Sequence, residues 1–256
     1  MSAGRRLITD NASWRAQHHH LVSGDVIACR LGLKPGEEHL LVDLLERGVT
    51  LFPSATAQLA SRSKVLQAAL FGPWMVPHTL AIRDQHELVA AFPRYAQAGV
   101  GPVITKSDRA NAGMGILRWP DLEAVFAQAS LGTLAYPFVL QPFVAGATDI
   151  RAIFLGDHHE AYRRHNPHNF RHNLHFGGSR QPVALTAAQE RLCGEVMARG
   201  RFPYGHLDLL VGADGVSYLS EINLRGGLKG ARIKGAAYLT RLAAIHADFC
   251  ARLAEA

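Results

Sequence analysis

The stretch at residues 206–223, HLDLLVGADGVSYLSEIN, contains two apolar runs separated by the turn sequence Gly-Ala-Asp-Gly. An Asp-Gly pair between two apolar runs is a strong signal for a β-hairpin. Antiparallel pairing across that turn brings Asp208, Glu221 and Asn223 toward one end of the ribbon, and alternate residues of a strand share a face. Acidic groups inside apolar strands are costly unless they are neutralised, and carboxylate and amide oxygens are hard ligands of the kind that Mg²⁺ takes. The stretch therefore predicts a magnesium site, with a strand pair that carries polar edge residues as the alternative.

The composition predicts a globular, cytoplasmic protein. The chain has 256 residues, 48% of them hydrophobic, and its three cysteines lack CxxC spacing, which fits a reducing compartment better than a disulfide framework. The N-terminus lacks the apolar core of a signal peptide, and no run approaches the roughly 18 apolar residues of a membrane span, so we expect no membrane partner. The formal net charge is +6, but the basic residues are dispersed, which favours polyanionic small molecules over nucleic acid.

Hydrophobic periodicity divides the chain into three units. Residues 1–62 are predicted to contain a single β-α-β unit, with a helix at 37–48 between two short strands. Residues 63–140 and 141–256 are predicted to form two larger units that mix helices and strands, and the second of them contains the hairpin.

The middle unit contains a candidate flap for covering phosphates. A helix at 61–71 carries Lys64, and a strand that ends at Lys106 leads into the polar, glycine-bearing loop SDRANAGMG at 107–115. The strand ILRW resumes beyond the loop and no GxxxxGK[ST] motif occurs, so the pattern favours a flap over a P-loop. An ordinary hairpin loop is the alternative, because Gly and Asn fill turns for reasons unrelated to phosphate.

The last unit contains a polar loop at 165–180 and two helices. Thr186 and Gln189 form a capping-box pattern that opens a helix, and an alanine-rich helix is predicted at 230–254. Histidines occur in the loop at 165, 168, 172 and 175, with separations that suit zinc ligands on a helix. Pro167 and the neighbouring asparagines argue against such a helix, so a polar loop is favoured over a zinc site.

Four short motifs precede the hairpin: QPFV at 141–144, TDIR at 148–151, YRR at 162–164 and FRHNLHFGG at 170–178. With them the chain resembles an ATP-grasp ligase, closest to the RimK-like branch that contains ribosomal protein S6 glutamate ligase, with glutathione synthetase and synapsin as more distant relatives. The resemblance runs from about Val26 to the C-terminus. It implies an α/β (α+β) ATP-grasp fold, in which two α+β subdomains clasp ATP after a shortened β-α-β pre-ATP-grasp unit.

The resemblance also implies roles for matching residues. Lys64 and Lys106 would bind ATP phosphates under the backbone N–H groups of the flap, and Asp149 would lie in the same site. The implied flap residues are Asn111, Gly113 and Gly115, and the implied adenine-binding hinge is Gln141, Pro142 and Phe143. The implied ligands for Mg²⁺, or alternatively Mn²⁺, are Asp208, Glu221 and Asn223. The residues implied at the reacting centre are Arg151, Arg164 and Asn173.

The activity that the resemblance implies is a Mg-ATP-dependent ligase that joins a carboxylate to an amine through an acyl phosphate. The substrates would be small molecules or peptides, and the chemistry needs cations around the transferred phosphoryl group rather than a nucleophilic Ser or Cys. Two alternatives stay open: an ATP-grasp kinase that phosphorylates a small molecule, and a regulatory ATP-binding protein without turnover. The short N-terminal unit leaves the acceptor pocket undefined, so completion by a second subunit of a homodimer, or by a carrier or partner protein, is also considered.

Arg225 marks the point at which the sequence departs from these relatives. After the residue that matches Asn223 they carry a small residue and then Pro-Gly, whereas this chain continues Leu-Arg-Gly-Gly. A guanidinium beside metal ligands suits an anionic substrate group, because its planar fork matches a carboxylate or phosphate, and Arg225 is therefore a further candidate catalytic residue. The alternative is a structural ion pair with a local acid such as Glu221.

Overall fold

The computed structural model describes residues 5–110, 113–172, 174 and 177–255. Its N-terminal unit consists of β1 (Leu7–Ile8), α1 (Asn11–Gln17), β2 (Val26–Ile27), α2 (His39–Glu46) and β3 (Thr50–Leu51). The strands form a parallel sheet in the order β1-β2-β3. The predicted β-α-β unit is present, but β1 and α1 extend it by a second one. The sequence did not reveal β1, because a two-residue strand carries too little periodicity to be recognised.

Two short helices follow, α3 (Ala55–Ala60) and α4 (Lys64–Phe71); α4 lies within the helix predicted at 61–71, and α3 was not predicted. Each begins at a serine cap: Ser54 accepts a hydrogen bond from the Ala57 N–H at 3.1 Å, and Ser63 accepts one from the Leu66 N–H at 3.0 Å. The second cap restarts the helix and leaves Lys64 in its first turn. Two 3-10 turns, His18–His20 and Gly72–Trp74, follow α1 and α4.

A four-stranded antiparallel sheet comes next. Its elements are β4 (Leu80–Ile82), α5 (Gln85–Gln97), β5 (Val103–Ser107), β6 (Ile116–Trp119), α6 (Leu122–Ser130) and β7 (Phe138–Pro142), and the strand order is β4-β7-β5-β6. Asp84 and Asp121 cap the two helices, as their sequence positions suggest. Buried side chains of α5 and α6, such as Leu88 and Val125, pack in one apolar core with Phe138 of β7.

The last unit is a five-stranded antiparallel sheet in the order β10-β9-β8-β11-β12. Its elements are β8 (Thr148–Leu155), β9 (His158–His165), β10 (Ser179–Val183), α7 (Ala187–Gly200), β11 (Tyr204–Val211), β12 (Ser217–Asn223) and α8 (Gly235–Glu255). The predicted hairpin is β11–β12, with Gly215 at φ 81° in its turn. The predicted capping box opens α7, since Thr186 and Gln189 exchange side-chain to backbone hydrogen bonds.

Helices α3, α4 and α7 contribute Ala60, Phe71 and Cys193 to one buried core with Leu207 and Ile222 of the five-stranded sheet. The predicted boundary at 62 thus separates α3 from the helices with which it packs. The predicted boundary at 140/141 falls inside β7, which pairs with β4 and β5 along its length. Among the described residues, no helix is both long and apolar enough to cross a membrane.

Candidate active site

A cavity of about 1670 Å³ lies between residues of the two antiparallel sheets. Most of the predicted site residues line it: Lys106, Gly113, Gln141, Pro142, Phe143, Asp149, Arg151, Arg164, Asp208, Glu221, Asn223 and Arg225. Lys64 lines a smaller adjoining cavity that also contains Glu221. Gly115 lies at the base of the flap, while Asn111 and Asn173 lie outside the described residues, so their predicted roles stay predictions.

Strand register places a row of charged side chains on one face of the five-stranded sheet. Arg164 of β9 is directly opposite Asp149 of β8, and Arg151 of β8 is directly opposite Asp208 of β11. On the other side of β11, Asp208 is opposite Glu221 of β12. Residues directly opposite one another on neighbouring strands share a face, as do residues two apart along a strand. Five charges that are separated in the sequence therefore meet at one wall of the cavity.

The arginines and aspartates of this row form a network of ion pairs. Arg151 donates from Nε and Nη2 to the two carboxylate oxygens of Asp208, both at 2.7 Å, and Arg164 Nη2 adds a contact to Asp208 Oδ2 at 3.0 Å. Arg164 also donates to Asp149, through Nη2 to Oδ2 at 2.9 Å and through Nε to Oδ1. The neighbouring Arg163 is exposed, as strand alternation predicts when Arg164 faces inward.

Burial and ion pairing shift the pKa values of the residues in this network in opposite directions. Burial alone would raise the pKa of Asp208, but Arg151 and Arg164 outweigh it and hold that pKa below its usual range. Burial raises the pKa of Asp149, and Asp208 adds to the rise, because Arg164 and Arg151 do not offset them fully. Burial opposes the charged form of both arginines, yet Asp208 outweighs it and raises the pKa of each. Both guanidiniums thus keep their charge at the cavity wall.

The oxygen ligands predicted for magnesium lie together. Asn223 donates from Nδ2 to Glu221 Oε1 at 3.0 Å, which leaves the amide oxygen of Asn223 free of that contact. Asp208, Glu221 and Asn223 all line the same cavity, and a set of carboxylate and amide oxygens suits a hard cation. The residues present thus fit Mg²⁺.

Across the described residues, no cluster of three or more His, Cys, Asp or Glu side chains is placed to hold a metal. A metal at the hairpin would therefore need the Asn223 amide as its third protein ligand. Histidines 165, 168 and 172 of the polar loop line the cavity. His175 lies outside the described residues.

The two predicted phosphate-binding lysines approach β12 from different elements. Lys106, 6% exposed, donates from Nζ to the carbonyl oxygen and hydroxyl of Ser220 at 3.2 and 3.3 Å, next to a bulge in the hairpin register. Burial lowers the pKa of Lys106 to about 8, although Glu221 acts in the opposite sense. Lys64 donates to the Ala110 carbonyl at 2.5 Å and lies 3.3 Å from Glu221 Oε1. Lys64 thus joins the flap to the predicted metal site.

The flap glycines have a structural reason of their own. A Cβ atom on Gly115 would lie 2.4 Å from the Ala110 Cβ and 2.9 Å from the Ser107 Cβ, so a side chain there would clash with the start of the loop. Gly113 has φ 75°, in the left-handed region that favours glycine. The loop closes through a hydrogen bond from the Ser107 N–H to the Gly115 carbonyl at 2.8 Å.

The end of the hinge strand β7 places an aromatic side chain, Phe143, at the cavity. Phe143 lies under the guanidinium of Arg118, 4.1 Å from the ring centroid, and its ring meets Phe170 edge-on at 6.1 Å. The Oε1 atom of Gln141 is buried without a hydrogen-bond partner among the described residues. The aromatic rings of Phe143 and Phe170 and the unpaired Gln141 Oε1 lie together at the end of this strand. Such a set suits a planar polar ring, for example a nucleotide base.

Arg225 does not form the ion pair that was its alternative explanation. Glu221 has Lys64 as its ion-pair partner, whereas Arg225 is exposed in the cavity and makes no ion pair with any described residue. Sequence reasoning missed Arg30, which follows β2 and lines the same cavity. Its signal was one arginine near the end of the mostly apolar run DVIACRL at 25–31.

A four-stranded and a five-stranded antiparallel sheet that enclose a charged cavity between them are the architecture of the ATP-grasp class. Several solved structures share this fold, among them the following two enzymes. The D-cycloserine synthetase DcsG superposes with a TM-score of 0.61 at 18% identity, covering 98% of this chain and 100% of that one. The ATP-grasp ligase PsnB, in complex with a minimal precursor, Mg and ADP, superposes with a TM-score of 0.57 at 21% identity, covering 88% of this chain and 79% of that one.

Residues 59–243 match the model of the RimK-like ATP-grasp domain, and the chain belongs to that family. A relative from Hahella chejuensis, "Probable alpha-L-glutamate ligase 2", is 33% identical over 192 residues, which are 64% of this chain and 63% of the relative. The chain thus spans less than two thirds of that relative's length. The sequence resemblance to the RimK-like branch and the expectation of an ATP-grasp fold are both confirmed.

Proposed function

We propose that this protein is a Mg-ATP-dependent ligase that joins a carboxylate to an amine. The observation that carries the proposal is the single cavity wall on which Arg151 and Arg164 flank Asp208, opposite Glu221. Such a wall places fixed positive charge beside a candidate magnesium site. Phosphoryl transfer to a carboxylate needs this combination, because both reactants are anions.

The proposed reaction has two steps. A substrate carboxylate oxygen attacks the γ-phosphorus of ATP, and the bond from that phosphorus to the β,γ-bridging oxygen breaks. ADP is released, and the substrate carboxylate has become an acyl phosphate. The amine nitrogen then attacks the acyl carbon, the bond from carbon to the phosphate oxygen breaks, inorganic phosphate leaves and the nitrogen loses a proton. Bound magnesium would neutralise charge on the triphosphate. The chain itself contributes positioning and positive charge, and no covalent enzyme intermediate is needed.

Each group of residues has a proposed part. Lys106 and Lys64 hold phosphate oxygens, and Gly113, Gly115 and Asn111 supply flap N–H groups above them. Arg151, Arg164 and Asn173 act around the transferred phosphoryl group and the acyl oxygens, with Asp149 holding Arg164 in place. The proposed hinge contacts to adenine come from Gln141, Pro142 and Phe143. The proposed ligands of Mg²⁺, or of Mn²⁺ as an alternative, are Asp208, Glu221 and Asn223.

The proposed substrates are amino acids or peptides. The names of the relatives support this choice, since one is a probable alpha-L-glutamate ligase and the ATP-grasp ligase PsnB was solved with a precursor peptide. A carrier or partner protein, or a second copy of the chain, could contribute to the acceptor side. The cytoplasm is the proposed location, supported by the three cysteines, all of which are free thiols.

Two readouts test the ligase proposal. The purified protein is incubated with MgATP and pools of carboxylates, with and without pools of amines, and ADP release is followed. Hydroxylamine is then added as a trapping amine, which converts an acyl phosphate to a hydroxamate. A ligase gives carboxylate-dependent ADP release and hydroxamate. ADP release that depends on a hydroxyl compound and yields no hydroxamate would identify a kinase instead, and ATP binding without ADP release would identify a regulatory protein.

A further inference from the structure

Two arginines outside the ion-pair network face the cavity from different parts of the chain. Arg30 follows β2 of the N-terminal unit, and Arg225 follows β12 of the five-stranded sheet. Both side chains are exposed, and both line the cavity that contains Asp208 and Glu221. Within the described ranges neither guanidinium has an ion pair or a side-chain hydrogen bond.

The backbone on both sides of Arg30 is held in place. Its neighbours Cys29 and Leu31 are buried, with exposures of 8% and 0%. The Leu31 N–H donates to Gln58 Oε1 at 2.8 Å, and Asn11 Nδ2 donates to the Arg30 carbonyl at 3.0 Å. Arg30 is thus the residue of this segment that turns outward, and the packing of its neighbours directs it to the cavity.

Arg225 is held in a similar way. The Leu224 side chain is fully buried, and its N–H donates to Ser61 Oγ at 3.0 Å. On the other side, a Cβ atom on Gly226 would lie 2.6 Å from Nδ1 of His206, so the chain passes close against that ring. The His206 ring is itself fixed by a 3.1 Å hydrogen bond between its Nε2 and the Tyr238 hydroxyl. Arg225 therefore leaves a rigid backbone two residues beyond Asn223.

The charges around the two arginines are not balanced by acids. Partial burial of the Arg30 guanidinium lowers its pKa, and the positive charge of Arg225 acts in the same direction. The nearby carboxylates already have partners, since Glu38 lies 2.6 Å from Arg109 and Glu221 lies 3.3 Å from Lys64. Two cations that repel one another in one cavity are stabilised by an anion between them.

We propose that Arg30 and Arg225 together bind a carboxylate of the substrate other than the one that reacts, so that the N-terminal unit selects substrates with a second negative charge. The proposal rests on the proposed ligase function for its identification of the anion as substrate. Two guanidiniums match the planar oxygens of a carboxylate, and each contact is charge-assisted. A pair of ordinary solvated surface arginines would have no preference between a carboxylate and the matching amide.

The test compares two probes that differ by one charge. Glutarate and its mono-amide have nearly the same shape, and their binding to the full chain is measured by calorimetry in the presence of Mg²⁺ and a non-hydrolysable ATP analogue. The wild-type protein is expected to bind glutarate at least about tenfold more tightly than the mono-amide. Arg30→Gln and Arg225→Gln are each expected to weaken glutarate binding about tenfold or more and to remove most of that preference. Arg30→Lys, which keeps the charge without the fork, should fall between.

Controls separate this site from the fold and from the ligase chemistry. Arg94→Gln on the exposed face of α5, away from the cavity, should leave both affinities and the melting temperature unchanged. The affinity for the ATP analogue should stay the same in all variants. Equal wild-type affinity for the two probes, or wild-type glutarate affinity in Arg30→Gln, would overturn the proposal. If glutarate selectivity depends on Arg30 but no carboxylate supports ADP release, the ligase function fails and the carboxylate site stands.

Discussion

Replacing Asp208 by Asn is expected to lower stability as well as abolish magnesium-dependent turnover. The Asp208 side chain is 12% exposed, and its arginine partners Arg151 and Arg164 are 17% and 5% exposed. Removing one partner of a buried ion pair costs roughly 3–5 kcal/mol. The remaining exposure, and Asp149 as a second partner for Arg164, place the cost near the lower end, about 3 kcal/mol. At roughly 2–4 °C per kcal/mol for a chain of this size, the melting temperature should fall by about 6–12 °C.

Glu221→Gln is the informative comparison. Glu221 is 22% exposed and has one ion pair, to Lys64 at 3.3 Å, so its loss should cost no more than about 1 kcal/mol, or about 4 °C. Both variants should lose magnesium-dependent ADP release. Asp43→Asn is the control for a solvated pair, because Asp43 is 51% exposed beside Arg47 and should change the melting temperature little. Equal melting temperatures of the Asp208 and Glu221 variants would refute the stability argument, and ADP release by either would refute the metal assignment.

Three further predictions follow from single side chains. Lys106→Met should weaken binding of a non-hydrolysable ATP analogue at least about tenfold by calorimetry, with no loss of melting temperature, because a buried ammonium with neutral partners gains little from folding. Arg225→Lys should raise the KM of the anionic substrate about tenfold with the KM of ATP unchanged, whereas a structural role would alter only the melting temperature. His246 donates from Nδ1 to the Ala28 carbonyl at 2.8 Å and accepts from the Tyr204 hydroxyl at 3.0 Å, and burial holds its pKa below the ordinary value of about 6.5. As the pH drops below about 6.5, the unfolded chain binds a proton at this histidine before the folded protein does, so the stability of the fold falls. His246→Gln should therefore show a smaller fall in melting temperature between about pH 7.5 and pH 5 than the wild type. A fall equal to that of the wild type would contradict this prediction.

The sequence predicted the features that depend on local patterns. The Asp-Gly turn between apolar runs marks the β11–β12 hairpin, and a bulge beside Asp208 then shifts the register so that Asp208 lies opposite Glu221. Arg164, which the resemblance implied at the reacting centre, is buried, and strand alternation leaves the neighbouring Arg163 exposed. The capping-box pattern of Thr186 and Gln189 marked the start of α7 because the capping hydrogen bond spans three residues.

The features that the sequence did not reveal depend on contacts between distant residues. Arg30 is one arginine in an apolar run, and the backbone beside it is held by Gln58, which no periodicity links to it. The pairing of Asp208 with both Arg151 and Arg164 needs the order of three strands, which local signals do not supply. The strand β1 is too short for a pattern and forms because β2 supplies its hydrogen bonds.

The short helices α3 and α4 explain how the N-terminal unit and the predicted metal site come to share one cavity. Gln58 is fully buried and bridges the Leu31 N–H and the Pro53 carbonyl, both at 2.8 Å. Gln67 is 2% exposed and forms two 2.9 Å hydrogen bonds with the backbone of Ile222 in β12, one to its N–H and one to its carbonyl. An unpaired buried amide would cost roughly 1–3 kcal/mol, so each glutamine is stable only while both of its backbone partners stay in place. Gln67 Nε2 also donates to the Ala60 carbonyl at the end of α3 at 2.7 Å, so the hydrogen bonds of the two glutamines connect the segment that carries Arg30 to β12. The positions of Arg30 and Arg225 at one cavity therefore depend on hydrogen bonds of buried side chains in the core, not on surface loops alone.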